Sequence, residues 1–322
     1  MQLKVLMTEP LQPVGQALFN DHSEIELIIP EDVTEDALIA AVDGVEGIAV
    51  RSAKLTPKVL ESATELRAVS RHGVGYDNVH VPTLTSRGIP MLLAIHANAV
   101  SVAEHTMFFL LALAKRGKEY EAAARTSDFG FRSAPIAVDI ANKILTIVGF
   151  GRIGTRLARR ALAFDMKVFV ADPFVSDDEI REAGCEPVED FRVLLPETDF
   201  LTVHTPLNDE TRHVVGVEEL AQMRSDSFVI NCARGGVVDE QALADALIAG
   251  TIAGAGVDVF ETEPPPADHP LLKLDNVYLS PHSAGVSVEA ARRMSFETAD
   301  NLIKALEGEV HVETLANPEI LG

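Results

Sequence analysis

The run ILTIVGFGRIGTRLARRALAFDMKVFVAD, residues 144–172, restricts the fold more than any other stretch of the chain. An apolar strand, ILTIV, leads into Gly149, Gly151 and Gly154 at G-x-G-x-x-G spacing, and an amphipathic helix follows without a break. Gly149 permits a tight turn, Gly151 lets backbone approach a pyrophosphate, and Gly154 lets the helix pack close to the strand. The helix start supplies free N–H groups and a positive dipole end around Arg152 and Ile153. A second strand, KVFVAD, ends in Asp172, 23 residues after Gly149. An acid at that place accepts hydrogen bonds from ribose hydroxyls and repels a 2′-phosphate, so the expected cofactor is NAD rather than NADP.

The rest of the chain repeats this alternation. LKVLM, IELIIP, GIAVRS and LRAVS read as strands, with EDALIAAV and TPKVLESAT as helices between them. A second series continues through DFLTVHTPL, SFVINCARGG, IAGAGVDVF and NVYLSPH. Such alternation predicts an α/β protein with two doubly wound, parallel-sheet, Rossmann-like domains. NAVSVAEHTMFFLLALAKRGK, residues 98–118, reads as one long helix, apolar nearly all round and buried between the domains. The last helix, SVEAARRMSFETADNLIKALEGE, has no strand after it and is expected to return to the first domain. That domain is then discontinuous, 1–97 and 287–322, and binds substrate, while 98–286 binds NAD.

With 322 residues and 47% hydrophobic content, the chain can bury two cores. No apolar run reaches the roughly 18–20 residues of a membrane span, and MQLKVLMTEP reads as a strand rather than an export signal. Cys185 and Cys232 form no pattern, which suggests the reducing cytoplasm, and no cluster has metal-ligand spacing. A net charge of −22 argues against nucleic acid and anionic membrane as partners. Arginine outnumbers lysine 18 to 9, and an acidic, lysine-poor surface would also suit a salty cytoplasm.

Polar residues gather at the ends of the second series of strands, where open α/β sheets bind ligands. INCARGGVVDE presents Arg234, GVDVFETEP presents Asp258 and Glu263, and SPHSAG presents His282. Hydride transfer to a ketone needs a proton for the developing alkoxide. A histidine held by a carboxylate supplies it near neutral pH. An arginine fork clamps a carboxylate and polarises the neighbouring carbonyl.

Together VGFGRIG, NCARGGVVDEQAL, GAGVDVFETEP and LSPHSAG resemble, in order, the signatures of the D-isomer-specific 2-hydroxyacid dehydrogenases, as do SRHGVGYDNV and NAVSVAEH. The resemblance implies Arg234, Glu263 and His282 as the catalytic set, and Asp258 at the nicotinamide carboxamide. It implies Thr205, Cys232, Ala233, Ala284 and Gly285 along the cofactor. It implies a substrate carboxylate on the N–H groups of Val74 and Gly75, with Asn98 nearby. It further implies a homodimer built on the cofactor domains and an active site in the interdomain cleft.

Arg51 and Arg71 each follow a strand in the first domain, and a small apolar hydroxy acid has no need of them. They resemble the phosphate-binding arginines of 3-phosphoglycerate dehydrogenases, and Arg132 resembles the one those enzymes lend from the partner subunit. The alternative is that both arginines only meet solvent or nearby acids. A substrate with a second anionic group is expected, 3-phosphoglycerate first, with sulfolactate, hydroxypyruvate and glyoxylate open. No appended regulatory domain is expected after the last helix, and no feedback through one. Some relatives of this fold are NAD-sensing corepressors. That role is weighed against enzyme activity by the lack of partner-binding tails.

Overall fold

The computed structural model describes residues 2–321. Met1 and Gly322, the outer limits of the expected first domain, lie outside the described residues. The chain forms two compact units, one running to Asn98 and resuming at Val286, the other spanning Ala99–Gly285.

In the first unit β1 (Leu3–Met7), α1 (Pro13–Asp21), β2 (Ile25–Ile28), α2 (Glu35–Ala41), β3 (Gly47–Val50), α3 (Pro57–Ser62), β4 (Ala68–Arg71), α4 (Val81–Ser86) and β5 (Met91–Leu93) alternate. Every strand pair is parallel, and the order is β2-β1-β3-β4-β5. Successive side chains of a strand face opposite ways. Leu6, Ile48 and Val50 accordingly enter one core with Leu38, Leu60 and Leu84, while Val5, Met7 and Ala49 enter another with Phe19 and Leu302. Two buried faces explain why these strands read as continuous apolar runs.

The second unit opens with α5 (Ala99–Ala114) and α6 (Gly117–Arg125). There follow β6 (Ile144–Val148), α7 (Gly154–Ala163), β7 (Lys167–Ala171), α8 (Asp177–Glu182), β8 (Glu186–Pro187), β9 (Phe200–Val203), α9 (Val217–Gln222), β10 (Phe228–Asn231), α10 (Glu240–Ala249), β11 (Gly254–Val257) and β12 (Val277–Leu279). Its seven parallel strands run β12-β11-β10-β9-β6-β7-β8. The order reverses between β6 and β9, the crevice where doubly wound sheets take their ligand. The final helix, α11 (Val288–Glu307), packs on α1 and on β3, β4 and β5 of the first unit, as its lack of a following strand predicts.

The single helix expected over 98–118 is corrected. It stops at Ala114, because Arg116 takes the left-handed conformation (φ 50°) and starts a new helix. Nor is it enclosed all round, since Phe108 is 51% exposed.

Candidate active site

The glycine loop after β6 has the geometry a dinucleotide needs. Gly149 sits at φ +98°, where a side chain is strained, and Gly154 packs so closely that an added Cβ would lie 2.2 Å from the Gly149 carbonyl oxygen. A Cβ on Gly151 would meet nothing within 4 Å. The loop is therefore braced on one side and open on the other, at the start of α7. The Arg152 side is exposed and Ile153 is half-buried at the helix cap.

Asp172, at the end of β7, stands beside this loop. One carboxylate oxygen accepts the Phe150 N–H at 2.6 Å and the other the Phe174 N–H at 2.8 Å. Each oxygen keeps a lone pair for a ribose hydroxyl. Across the switch point, the buried Thr205 Oγ1 has no hydrogen-bond partner among the described residues, nor has His204 Nδ1. Burial holds the His204 imidazole down to about 4, so it is neutral at physiological pH. An open glycine turn, a carboxylate with spare acceptors and an orphaned hydroxyl fit a dinucleotide.

NADH is expected to be preferred over NADPH by roughly 10²-fold or more, since facing like charges costs several kcal/mol. Comparing kcat/KM for both cofactors in the wild type and Asp172→Ala checks this. Equal use of NADPH by the wild type would refute it.

The loops after β10, β11 and β12 carry the polar set. His282 Nδ1 lies 2.7 Å from Glu263 Oε2, so the carboxylate engages one ring nitrogen and not Nε2. The other Glu263 oxygen accepts the Phe260 N–H at 3.0 Å. His282 is held at φ +51°, a conformation costing a non-glycine residue about 1 kcal/mol or more. Asp258 maintains it. The Asp258 carbonyl accepts the His282 N–H at 2.7 Å. Its nearly fully buried carboxylate accepts the Ser283 and Ala284 N–H groups at 2.8 and 2.9 Å and also the Ser280 hydroxyl. Ser280 Oγ is in turn 2.9 Å from His105 Nε2, and burial lowers the pKa of His105. Asp258 thus secures the turn that presents His282.

Arg234 is half-buried, and its guanidinium donates to the Ala233 carbonyl at 2.6 Å. The buried Asn231 side chain fixes the same turn, accepting the Ala233 N–H at 3.0 Å and donating to the Arg234 carbonyl at 2.9 Å. Cys232 is buried beside it, and burial pushes its thiol far up, so it is no nucleophile. Asn231, Ser280 and His105 fall inside the signature stretches NCARGG, LSPHSAG and NAVSVAEH, but nothing in the sequence assigns these residues a place in the site. Gly285 closes the unit, half-buried.

The first unit holds a separate cationic group. Burial, then the charges of Arg51 and Arg71, hold His72 down to about 4, while His72 Nε2 contacts Ser295 Oγ at 3.1 Å. The two guanidinium groups therefore act on one spot. Among the described residues no carboxylate pairs with the Arg51 guanidinium, which is exposed. The Arg71 guanidinium donates to the His72 carbonyl. Val74 and Gly75 follow as a half-buried loop, and Asn98 is half-buried at the end of the segment.

Glu9, unmarked in the sequence, fills the backbone nest after β3. It accepts the Arg51, Ser52 and Ala53 N–H groups at 3.2, 2.8 and 3.0 Å. Burial raises its pKa, but these bonds and those from Ser52 and Thr8 outweigh that and keep it ionised. Arg132 lies exposed on a short 3₁₀ turn, Phe129–Ser133, in the second unit.

A cavity of about 240 Å³ lies at the opposite, amino-terminal ends of the second unit's strands, lined in part by Arg116, Lys143, Asp199 and Phe228. Its cations are paired, Lys143 with Asp199 at 2.9 Å and Arg116 with Glu119 at 3.4 Å, and it carries none of the polar set. Half-buried His22 and exposed Glu24 and Glu307 bring possible metal-ligand atoms within 4.8 Å of one another, again apart from that set. Among the described residues no helix is long and apolar enough to cross a membrane.

Residues 107–284 match the NAD binding domain of the D-isomer specific 2-hydroxyacid dehydrogenases. The chain is 36% identical to a D-3-phosphoglycerate dehydrogenase of Methanocaldococcus jannaschii, over 99% of this chain but only 60% of that protein. It therefore spans about three-fifths of that relative's length. It is also 36% identical to a glyoxylate reductase of Korarchaeum cryptofilum, over 100% of this chain and 98% of the other. Among solved structures, a D-lactate dehydrogenase of Aquifex aeolicus complexed with NAD and lactic acid superposes with a TM-score of 0.85 at 30% identity, covering 97% of this chain and 99% of that one.

Proposed function

The chain belongs to the D-isomer specific 2-hydroxyacid dehydrogenase family, and from that premise we propose that it interconverts a D-2-hydroxy acid and its 2-keto acid with NAD(H). The observation that carries this reading is the 2.7 Å contact between His282 Nδ1 and Glu263 Oε2, in the unit that also carries the cofactor turn. NADH, held by the Gly149–Gly154 turn and Asp172, would supply the hydride for C2 of the keto acid. His282 Nε2 gives a proton to the carbonyl oxygen as charge develops there, and Glu263 stabilises the imidazolium that precedes the transfer. Arg234 clamps the substrate carboxylate and polarises the carbonyl. Oxidation of the hydroxy acid runs the same steps in reverse, with His282 as base.

The substrate reading goes further. It takes a second anionic group as part of the substrate, with 3-phosphoglycerate and its keto acid first. Arg51 and Arg71 both bear on His72, and Arg51 has no acid partner among the described residues, which supports an anion there. Charge-assisted bonds contribute about 1.5–3 kcal/mol each, so two would favour a phosphorylated substrate by roughly 10²-fold or more. Glu9 weighs against a free dianion, since its carboxylate already holds the adjoining N–H nest. Hydroxypyruvate, glyoxylate and sulfopyruvate are therefore the competitors.

The test is NADH oxidation with phosphohydroxypyruvate, sulfopyruvate, hydroxypyruvate, glyoxylate and pyruvate, repeated on Arg51→Ala and Arg71→Ala. Phosphohydroxypyruvate is expected to lead, and each substitution to erode that lead about tenfold or more. An unchanged ranking in both variants would eliminate the arginine pocket and leave the general reading.

The same reading includes a homodimer in a cytoplasmic setting, with Arg132 lent to the partner's site. It is supported by α6, amphipathic yet without a buried residue, and by exposed Phe129, Ile136 and Val138 after it. Sedimentation at twice the chain mass is expected, and a monomer would remove this part.

A further inference from the structure

Glu240 and His269 take no part in the reaction described above, yet both are largely buried, at 12% and 13% side-chain exposure. A carboxylate so placed needs donors. Glu240, the first residue of α10, has two. Its Oε1 accepts the Glu261 N–H at 2.5 Å, and its Oε2 lies 2.9 Å from His269 Nε2. His269 Nδ1 is buried without a partner among the described residues, so the bond to Glu240 is the polar contact that seats this ring. The ring also meets Phe260 edge-on, with centroids 5.5 Å apart.

These contacts converge on one short segment. Phe260 N–H donates to Glu263, and Glu261 N–H donates to Glu240. On its other side the segment is pressed against the turn that carries Arg234. An added Cβ on Gly235 would lie 2.1 Å from the Phe260 carbonyl carbon and oxygen. Residues 260–263 are thus gripped between α10, the 269 ring and the arginine turn. His213 adds an outer tie, with Nε2 at 3.0 Å from Glu261.

We propose that Glu240 and His269 are positioning residues, which lock residues 260–263 so that Glu263 stands at bonding distance from His282 and in register with the Arg234 turn. This rests on the enzyme reading given above. Neither residue touches the reacting atoms. Their effect is on the placement of the carboxylate that holds the imidazole, and a 1 Å misplacement of such a group can cost about 10²-fold in rate.

The experiment compares Glu240→Ala, His269→Leu and His269→Gln with the wild type. Leucine keeps bulk and loses the donor, whereas the glutamine amide donates to the same carboxylate. kcat and KM are measured with NADH and whichever acid of the panel above turns over fastest. NADH affinity is read from the fluorescence of NADH, which no tryptophan obscures because the chain has none, and Tm monitors folding.

Glu240→Ala and His269→Leu are expected to lower kcat by about 10–10²-fold, with NADH affinity and KM little changed and His269→Gln recovering most of the loss. Wild-type kcat in the folded variants would overturn the proposal, and so would equal losses in His269→Leu and His269→Gln. If Glu240→Ala does not fold, the two His269 variants decide. A wild type that turns over no acid of the panel would overturn the enzyme reading, and this inference with it. Turnover in the wild type with unaffected variants would overturn this inference alone.

Discussion

His282→Ala is expected to lower kcat/KM for keto-acid reduction by about 10²–10⁴-fold, the range of general acid catalysis, while NADH still binds. The reason is local. The turn at 280–284 is held by Asp258, whose carbonyl and carboxylate take bonds from the Ser280 hydroxyl and the His282, Ser283 and Ala284 N–H groups, and the imidazole projects from it at a left-handed φ. Removing the side chain leaves the turn intact and the proton donor gone, so the loss falls on chemistry. Glu263→Gln keeps a hydrogen-bonding group at 2.7 Å from Nδ1 but removes the charge that stabilises the imidazolium. It is expected to lose less than His282→Ala, and the double variant little more than His282→Ala alone, because the two act as a unit. Near wild-type turnover in His282→Ala would refute the assignment. Steady-state kinetics with NADH titration in parallel provide both readouts.

Arg234→Ala is expected to lose a comparable amount, about 10²–10⁴-fold in kcat/KM, since a forked pair of charge-assisted bonds contributes about 1.5–3 kcal/mol per bond. Both KM and kcat are expected to change, because in the proposed mechanism the same guanidinium serves the carboxylate and the carbonyl. Arg234→Lys keeps the charge without the fork and is expected to fall between the two. The turn itself should survive, because Asn231 bonds its backbone on both sides of the arginine side chain. A lysine variant with wild-type KM and kcat would contradict the clamp.

The features legible in the sequence share a physical basis. Strands buried on both faces read as apolar runs, and β1, written LKVLM, spans the same five residues in the structure. The cofactor turn is legible because strand, three glycines, helix and acid must all fall in register within 29 residues. His282, Glu263 and Arg234 stand out as polar residues at ends of apolar strands. The end of α5 is less legible, because Lys115, Arg116 and Lys118 are all good helix formers and the left-handed residue is Arg116 rather than the adjoining Gly117. The braces are equally silent. Glu9 reaches Ser52, 43 positions away, and Glu240 reaches His269 across 29. Their partners are chosen by the fold, so each reads alone as an ordinary surface acid or histidine.

The central claim is tested most directly by incubating the wild-type chain with NADH and the five keto acids, following absorbance of the reduced nicotinamide and resolving the product on a chiral column. Stoichiometric consumption of NADH is the predicted result, with formation of a D-2-hydroxy acid from the four acids whose products are chiral and of achiral glycolate from glyoxylate. NADH bound but not consumed with any of the acids would favour a nucleotide-sensing protein, and an L-hydroxy acid would contradict the placement of hydride donor, Arg234 and His282 on which the account rests.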